Sequence, residues 1–388
     1  MAEYPLSGVT VVDLTQYVAG PYCTQVLADL GATVLKVERP GTGDVYRRQG
    51  PVFKHGESAS FLTLNRGKRS IELDLANDSD RARLEELLAS ADVLVENMRP
   101  GALTKFELDY DTVASRHPRL VYCSISAFGQ TGPLAAAGGY DVTLQALSGL
   151  MAMTGHPDQP PAKIPVAALD FGSALYATVG ILAALGQRQR TGRGEWVQTS
   201  LLECAVAWLS MHIVTLLLGG DEPEPLGSRS PFFAPYEAYS TADGYLVVVG
   251  TGGRDAWGTL CRTLGLERLV DDPRFATNAD RVRNADELRD ELEVVLRTRP
   301  NADWVAELAG VGIACAPVQR LSDALSSEQV RQLAMLATLE HPVAGKIPTV
   351  RLPLAFAHSA STTMAPPPLL GADGGAERAK GRPSSAAG

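Results

Sequence analysis

Along the first half of the chain, short runs of apolar, often β-branched residues alternate with segments in which apolar residues recur every three or four positions. The strand-like runs are GVTVVDL, ATVLKVE, DVLVEN and RLVYCSISAFG, and the helical segments include PYCTQVLADLG and DRARLEELLASA. Strands that alternate with helices are typical of βαβ units. The pattern therefore predicts an α/β fold with a Rossmann-like, doubly wound and mostly parallel sheet.

Beyond this region the pattern predicts two apolar helices. The first runs from Gly172 to about Gln189, where TGRG ends it, and the second follows WVQTSL and reaches about Leu218. Because both segments are rich in apolar residues, we expect both helices to be buried.

A change in composition follows, since GGDEPEPLGSRSPFFAP is rich in Gly, Pro and charge and reads as a linker. The next segment, YEAYSTADGYLVVVG, predicts a hairpin that opens a smaller α+β domain, which ADELRDELEVVLRTR and ADWVAELAG continue as helices. The predicted division is a large domain over 1–218, a linker over 219–235, a small α+β domain over 236–322, a return to the large domain over 323–371 and a disordered tail over 372–388.

Composition narrows the class of protein. A chain of 388 residues with 45 % hydrophobic and 20 % charged residues is long enough for two domains. Its formal net charge of −9 argues against nucleic acid or an anionic membrane as a partner, although a local basic pocket for a small anion fits an acidic protein. Without a recognisable export signal or membrane-spanning run, we expect a cytoplasmic protein.

The side chains that usually carry metal or nucleophile chemistry form no motif. The five cysteines are scattered and lie at no metal-ligand spacing from a histidine, so we expect neither a disulfide framework nor a metal site. The six histidines have no G-x-S-x-G partner. Carboxylates are therefore the best candidates for covalent or acid–base chemistry.

One carboxylate stands out because it is isolated. Asp170 is the single charged residue in VAALDFGSALYA, residues 166–177. It could be a helix N-cap, since an Asp ahead of an apolar helix satisfies free backbone N–H groups and suits the positive end of the dipole. It could instead be a reactive group, and spacing alone leaves both interpretations open.

The first βαβ unit imitates a dinucleotide-binding unit, with Glu38 at the position of a ribose-binding acid. The similarity ends in the loop TQYVAG, which has a single Gly where the G-x-G-x-x-G fingerprint of such units has three. Several cations follow predicted strands and could converge on phosphates, or could be solvated surface charges: Arg39, Arg47, Arg48, Arg66, Lys68, Arg69, Arg99 and Lys105.

Read together, a series of segments in a fixed order resembles the class III CoA-transferase family, also called the formyl-CoA transferase/carnitine CoA-transferase family. The segments are DLTQYVAGPYCTQVLADLGATVLKVERPGTGD, LNRGKRSIELDL, VENMRPGAL, SISAFGQTGP, GGYDVTLQALSGL, ALDFGSALYA, TGRGEWVQTSLLE, DPRFATNADRVRN, GIACAPV and PPLLG. The resemblance implies an α/β large domain built from both chain ends, a small domain between them, and a homodimer of two interlocked rings whose chains cross over at the linker.

The resemblance also implies a mechanism in which Asp170 is the nucleophile. Asp170 would attack the thioester of an acyl-CoA donor and form a mixed anhydride, which CoA thiolate converts into an aspartyl-CoA thioester. A small carboxylic acid acceptor then reverses these steps and leaves as its CoA ester. The reaction needs no permanently bound cofactor and no metal. We expect the helix N-terminus to keep Asp170 ionised and apolar walls to exclude water.

Residue by residue, the resemblance implies further site residues. Gln16 falls on the loop that faces the active carboxylate, and Gly252 and Gly253 fall on a glycine loop, shorter here, that closes over the acyl-enzyme. The positions that match CoA contacts are Val18, Ala19, Arg39, Leu73, Asn97 and Lys105, and we add Tyr140 and Asp141 to this set. Two basic contacts of the family are replaced by Ala76 and Gly138.

Two alternatives remain. An α-methylacyl-CoA racemase of the same superfamily would need a His where this chain has Tyr140, and a phenol with an ordinary pKa of about 10 exchanges α-protons poorly near neutrality. A non-catalytic acyl-CoA-binding protein would not need Asp170 or the glycine loop. The transferase interpretation is therefore preferred.

Overall fold

The computed structural model describes residues 4–251 and 255–374, which separate into two compact units. The first contains the described residues up to Leu150, Ile164–Gly220 and those from Gln332 onwards. The second contains Met151–Lys163 and the described part of Asp221–Arg331. The predicted boundaries differ from this division, because they place 151–163 in the large domain and end the small domain at 322.

The strands, in chain order, are β1 Thr10–Asp13, β2 Thr33–Glu38, β3 Phe53–Lys54, β4 Glu57–Ser58, β5 Lys68–Glu72, β6 Val93–Glu96, β7 Val121–Ser126, β8 Trp196–Ser200, β9 Tyr236–Ser240, β10 Tyr245–Val249, β11 Ala314–Pro317, β12 Leu336–His341 and β13 Gly345–Val350.

The α-helices are α1 Ala19–Asp29, α2 Ala59–Leu64, α3 Asp78–Ser90, α4 Tyr110–Arg116, α5 Asp141–Leu147, α6 Ala168–Thr191, α7 Leu201–Trp208, α8 Ser210–Leu217, α9 Ala256–Thr263, α10 Asn278–Arg283, α11 Ala285–Leu296, α12 Asn301–Gly310, α13 Leu321–Ser326 and α14 Glu328–Gln332.

The first unit is built on a six-stranded sheet in the order β5-β2-β1-β6-β7-β8, with every neighbouring pair parallel. The α/β fold class is therefore confirmed. The strand order reverses direction between β1 and β6, which is the topological switch point of a doubly wound sheet. The carboxyl ends of β1 and β6 are consequently the place where this architecture leaves room for a ligand.

Both faces of the sheet are buried, as parallel strands with helical crossovers require. Alternate residues of each strand enter two different cores: Val11 of β1 packs in a core with α1 and α6, whereas Val12 packs in a core with α3. This two-sided burial explains why the strands read as continuous apolar runs in the sequence.

The helix α6 begins earlier than predicted, at Ala168 rather than near Gly172. Its length and composition alone would allow it to cross a membrane, but its inner face packs on α1 through Ala174, Ala177 and Ile181 in the core of the first unit. α6 is therefore a core helix of this unit. Its outer face is uncovered in the single chain, where the Val179 side chain is 63 % exposed.

The predicted second apolar helix is two short helices: α7 buries Leu201, Cys204 and Ala205, whereas the expected burial does not hold for α8 in the single chain. In the single chain, α8 has no buried residue, and Leu217 is 79 % exposed. Apolar side chains on the outer faces of these helices and α6 are left uncovered: Leu175, Tyr176, Val179, Leu182, Val206, Trp208, Met211, Val214 and Leu217.

The second unit has its own sheet and core. As predicted, β9 and β10 form an antiparallel hairpin, and β11 adds to β10 to give a three-stranded sheet. The predicted helices appear as α11 and α12 and pack Leu288, Leu292 and Trp304 into one apolar core with the strands.

The end of the described chain returns to the first unit. Asp373 lies beside β5, where its backbone N–H donates to the carbonyl of Ser70 at 2.9 Å and its carboxylate accepts the Ser70 N–H at 2.9 Å. The predicted disorder from residue 372 therefore does not hold at Asp373, and residues 375–388 lie outside the described part of the chain.

Candidate active site

The loops after β1 and β6 meet at the switch point and are tied to each other. The Gln16 N–H donates to Oδ1 of Asn97 at 3.0 Å, and Nδ2 of Asn97 donates to the Gln16 carbonyl at 2.8 Å. This reciprocal pair fixes the distance between the two loops at the place where the fold leaves a crevice.

A cavity of about 420 Å³ opens at this point, and Asp170 lies in its wall; we call it the Asp170 cavity. Six of the predicted site residues line it together: Gln16, Val18, Ala19, Asn97, Tyr140 and Asp170. Sequence positions more than 150 residues apart are thus brought to one site, as the resemblance implied for these six.

The carboxylate of Asp170 is not the cap of its helix. Asp170 is the third residue of α6, whose N-cap position is Ala167 with no side-chain hydrogen bond. The capping acceptor is Asp141, the first residue of α5, which accepts the Leu169 N–H at 2.7 Å and the Asp170 N–H at 3.4 Å. Asp141 supplies the capping that the N-cap interpretation gave to Asp170.

Asp141 is itself held in place by Gln145, a fully buried residue one turn further along α5. The Gln145 amide donates to Asp141, and its carbonyl oxygen accepts the backbone N–H of Ile164 at 2.9 Å. Since Asp141 lines neither cavity, the structure offers no support for its predicted contact with CoA and gives it the role of fixing the start of α6.

Within residues 4–251 and 255–374, the Asp170 carboxylate has no hydrogen bond or ion pair. Burial, followed by repulsion from the nearby Asp141 charge, raises the pKa of Asp170 from its ordinary 3.8 to about 7. The expectation that the helix N-terminus keeps this group ionised is therefore corrected: desolvation and a like charge outweigh the dipole. A carboxylate with a pKa near neutrality and no partner is typical of a reactive group.

Three tyrosines form one wall of the Asp170 cavity: Tyr17, Tyr46 and Tyr140. The Tyr17 ring meets Tyr46 edge-on at 5.5 Å and Tyr140 edge-on at 6.1 Å between centroids. Tyr17 has φ of 67°, in the left-handed region that non-glycine residues seldom adopt, so the loop holds this side chain in place at some conformational cost.

A second cavity of about 460 Å³ adjoins the carboxyl ends of β2 and β5; we call it the Arg39 cavity. Arg39, Leu73 and Lys105, all predicted CoA contacts, line it together. Gln16 and Met98 belong to the walls of both cavities. Two cations beside apolar surface are suited to phosphates and an adenine ring, and the shared residues place this cavity next to Asp170.

The other candidate cations are mostly engaged elsewhere. Arg47 pairs with Glu38, Arg66 pairs with Asp29, and Lys68 pairs with Asp13, all in buried or nearly buried positions. Glu38 therefore serves as a structural partner of Arg47 and is not placed as a free ribose-binding acid. Arg99, in contrast, lines the Asp170 cavity, where its guanidinium lies against Gly138: a Cβ there would meet Nη2 at 2.7 Å.

Buried ion pairs hold the loop after β1 that shapes both cavities. Asp13 accepts from Thr15 and Thr24 and pairs with Lys68 at 3.1 Å, while Lys36 pairs with Asp44 at 3.0 Å and donates to the Thr15 carbonyl at 2.7 Å. Although burial opposes it, the charges of Lys68 and Lys36 lower the pKa of Asp13 to about 2.

The single glycine of this loop is explained by close packing. A Cβ on Gly20 would lie 2.3 Å from Cβ of Thr15, so no larger residue fits unless the loop moves.

Two predicted site residues cannot be placed, and two cavity residues were not predicted. Gly252 and Gly253 lie outside the described residues. Sequence reasoning missed Tyr17 and Tyr46 as cavity residues, because they belong to no spacing motif. One signal was available for Tyr46: it lies two residues after Asp44, a residue type that caps turns, at the end of the GTGD segment.

Comparison with known proteins identifies the family to which the chain belongs. The chain matches CoA-transferase family III over residues 6–374. It is 39 % identical over 367 residues to the succinyl-CoA:glutarate CoA-transferase of Mus musculus, covering 95 % of this chain and 84 % of that protein. It is 38 % identical over 333 residues to the acetyl-CoA:oxalate CoA-transferase of Acetobacter aceti, covering 86 % and 85 %.

A solved structure shows the same fold. A CaiB/BaiF family protein from Brucella suis superposes with a TM-score of 0.85 and 37 % identity, over 97 % of this chain and 99 % of that one. The chain therefore belongs to CoA-transferase family III. It is a CoA-transferase, an enzyme that uses acyl-CoA as substrate.

Proposed function

We propose that this enzyme moves CoA from an acyl-CoA donor to a carboxylic acid acceptor through covalent intermediates on Asp170. The observation that carries the proposal is the Asp170 carboxylate itself, which lines a cavity at the switch point, has no partner among the described residues and has a pKa raised to about 7 by burial and the Asp141 charge. Structural carboxylates in the same unit, such as Asp13 and Glu38, are fully engaged by partners.

The chemistry uses only the carboxylate and the two substrates. The ionised oxygen of Asp170 adds to the thioester carbonyl and expels CoA thiolate, giving a mixed anhydride. The thiolate then adds to the aspartyl carbonyl and expels the donor acid as a carboxylate. An acceptor carboxylate repeats both steps in reverse, so the thioester is conserved. The apolar and aromatic lining of the cavity limits hydrolysis of the anhydride.

The Arg39 cavity would hold the nucleotide end of CoA. Arg39 and Lys105 supply positive charge for phosphates, and Leu73 supplies apolar surface. Since Gln16 and Met98 line both cavities, the arm of CoA would pass these two residues to bring its sulfur to Asp170.

Dicarboxylic acids are the proposed acceptor class. Glutarate and oxalate, the free acids in the names of the two relatives, are dicarboxylates. Arg99 is the one cation among the described residues that line the Asp170 cavity. It can hold the distal carboxylate of such an acid while the other carboxylate reacts. Proton exchange at the α-carbon is disfavoured, since Tyr140 is the residue at the position of the racemase histidine.

We also propose that the enzyme is a homodimer of interlocked subunits. The support is the uncovered apolar face on α6, α7 and α8, where Val179 and Leu217 are among the exposed side chains. Monomeric soluble proteins seldom leave such a patch open. Size-exclusion chromatography with light scattering tests it: the proposal expects twice the mass of one chain at every concentration that retains folded protein, and a folded monomer on dilution contradicts it.

The function is tested with Asp170→Asn, using Asp111→Asn in the first turn of α4 as a matched carboxylate control. Asp170→Asn should bind CoA normally but lose at least about a thousandfold in kcat, because an amide cannot form the anhydride. Wild-type enzyme treated with succinyl-CoA and hydroxylamine should carry a hydroxamate on the Asp170 peptide. An active Asp170→Asn variant, or an unmodified peptide under turnover, contradicts the mechanism.

A further inference from the structure

A short turn beside the Asp170 cavity is fixed more firmly than its length would explain. The residues Val45–Arg47 form a single 3₁₀ turn whose N-cap is Asp44, and the Asp44 carboxylate accepts the Tyr46 N–H at 2.9 Å. Asp44 is buried and ion-paired with Lys36. At the other end, Arg47 makes two hydrogen bonds of 2.7 Å to Glu38 and lies 3.7 Å over the Phe61 ring.

Tyr46 lies between these two anchored residues and is the member of the turn that lines the Asp170 cavity. Its ring packs edge-on against Tyr17, while within the described residues its hydroxyl has no hydrogen-bond partner. The neighbouring Tyr17 ring also packs edge-on against Tyr140. Tyr46 therefore has an O–H that is available to donate into the cavity.

Tyr46 and Asp170 line the same cavity, and the charges around Tyr46 agree with this placement. Burial raises the pKa of the Tyr46 phenol, and the largest charge effect in the same direction comes from Asp170, ahead of Asp44 and Tyr17. For Tyr17 the neighbouring groups that raise its pKa are Tyr140 and Asp44. Because the pKa of this phenol lies above that of Asp170, a neutral Tyr46 is able to donate a hydrogen bond when the carboxylate has become ionised.

We propose that Tyr46 is a further catalytic residue, whose hydroxyl donates a hydrogen bond to the aspartyl carbonyl oxygen of the covalent intermediates on Asp170. This inference rests on the proposed covalent mechanism. The mixed anhydride has two carbonyl carbons, and attack of the thiolate on the acyl carbon merely regenerates the donor. A donor aimed at the aspartyl oxygen stabilises the oxyanion formed at the productive carbon.

The step balances without a proton. The CoA sulfur forms a bond to the aspartyl carbon, and the aspartyl carbonyl electron pair moves onto its oxygen, where the Tyr46 O–H stabilises the negative charge. As the carbonyl reforms, the bond from the aspartyl carbon to the bridging oxygen breaks, and the donor acid leaves with that electron pair as a carboxylate. Tyr46 remains neutral throughout.

The test is Tyr46→Phe, which removes the hydroxyl and keeps the ring that packs on Tyr17. Loss of one oxyanion donor should lower kcat about 100-fold, while KM for succinyl-CoA stays within about threefold. With hydroxylamine present, the yield of hydroxamate on Asp170 per unit time should fall at least tenfold, because this reagent also attacks the aspartyl carbonyl. Tyr4→Phe, outside both cavities, is the matched control for losing a phenol hydroxyl.

The two proposals fail in different ways. Absence of hydroxamate on Asp170 in the wild-type enzyme would overturn the covalent mechanism and the role of Tyr46 with it. If the wild-type peptide is modified and Tyr46→Phe retains kcat within threefold, only the role of Tyr46 is overturned. An equal loss in Tyr46→Phe and Tyr4→Phe, or a loss confined to KM, would likewise overturn it. A thermal unfolding midpoint unchanged from wild type shows that the ring packing is intact.

Discussion

Two carboxylates of the first unit have opposite chemistry: Asp13 at the end of β1, which is fully buried, and Asp170 in the first turn of α6, which is partly buried. Asp13 accepts hydrogen bonds from two threonines and pairs with Lys68, and its pKa is lowered to about 2. Asp170 has a neighbouring carboxylate in place of a cation, and its pKa is raised to about 7. Desolvation opposes the ionisation of both, so the partners decide whether such a carboxylate supports the fold or remains available for reaction.

This contrast predicts where stability and activity can be separated. The ion pairs around Asp13 hold the loop that shapes both cavities, whereas the region around Asp170 is destabilised by an unpaired charge. Removing the charge of Asp13 should therefore lower the free energy of unfolding, whereas removing the charge of Asp170 should raise it.

The largest effect is expected for Asp13→Asn. The substitution keeps the shape of the side chain but leaves Lys68 buried without its counter-ion, which should cost about 3–5 kcal/mol of the free energy of unfolding. Urea denaturation at pH 7 measures it. Asp78→Asn is the control, because Asp78 also pairs with a cation, Arg81, but its side chain is 93 % exposed. Loss of this pair should change stability by less than about 0.5 kcal/mol. If the two variants lowered the free energy of unfolding equally, the buried ion pairs around Asp13 would not be needed for stability.

The next effect has the opposite sign and depends on pH. Because the folded-state pKa of Asp170 lies above the ordinary 3.8, its neutral form stabilises the folded protein at low pH, and this stabilisation is lost as the pH rises towards 7. Asp170→Asn should therefore match the wild type near pH 4 and be more stable at pH 8. The shift of about three pKa units sets an upper bound of about 4 kcal/mol on the gain. A variant that is less stable than wild type at pH 8 would contradict the unpaired state of Asp170.

The smallest effect concerns Asp141, whose charge is one cause of the raised pKa. Asp141→Asn keeps an oxygen that can cap α6 but removes the repulsion, so the pKa of Asp170 should fall by about half a unit to one unit. In the wild type, kcat/KM should rise with pH to a plateau with a midpoint near 7, and in the variant this midpoint should move to lower pH. A midpoint that stays in place or moves upward would show that burial alone sets the pKa.

Sequence reasoning predicted the sheet because each strand contributes apolar residues to two cores, which leaves an unbroken apolar run in the sequence. It also brought Gln16, Asn97 and Asp170 to one site, but through a family resemblance. Periodicity could not do this, because the loops after β1 and β6 become neighbours only when the strand order reverses between them.

Three features could not be derived from local pattern. Lys36 and Lys68 are charged residues inside strands, and nothing in their neighbourhood shows that Asp44 and Asp13 will neutralise them. The capping of α6 by Asp141 joins residues 28 or more positions apart. The apolar α8 was expected to be buried because its composition resembles a core helix, but in the single chain nothing covers it.

The two compact units are interleaved along the chain, which changes between them after Leu150, Lys163, Gly220 and Arg331. Neither unit therefore corresponds to one continuous stretch of gene. A deletion of residues 221–331 would leave 151–163 without the rest of the second unit. A duplication of the chain up to Leu150 would copy the six-stranded sheet without β8. Exchange of one continuous segment between relatives is thus expected to disrupt a unit, because each unit is assembled from separate parts of the chain. Changes of acid specificity should therefore accumulate as point substitutions in the cavity walls.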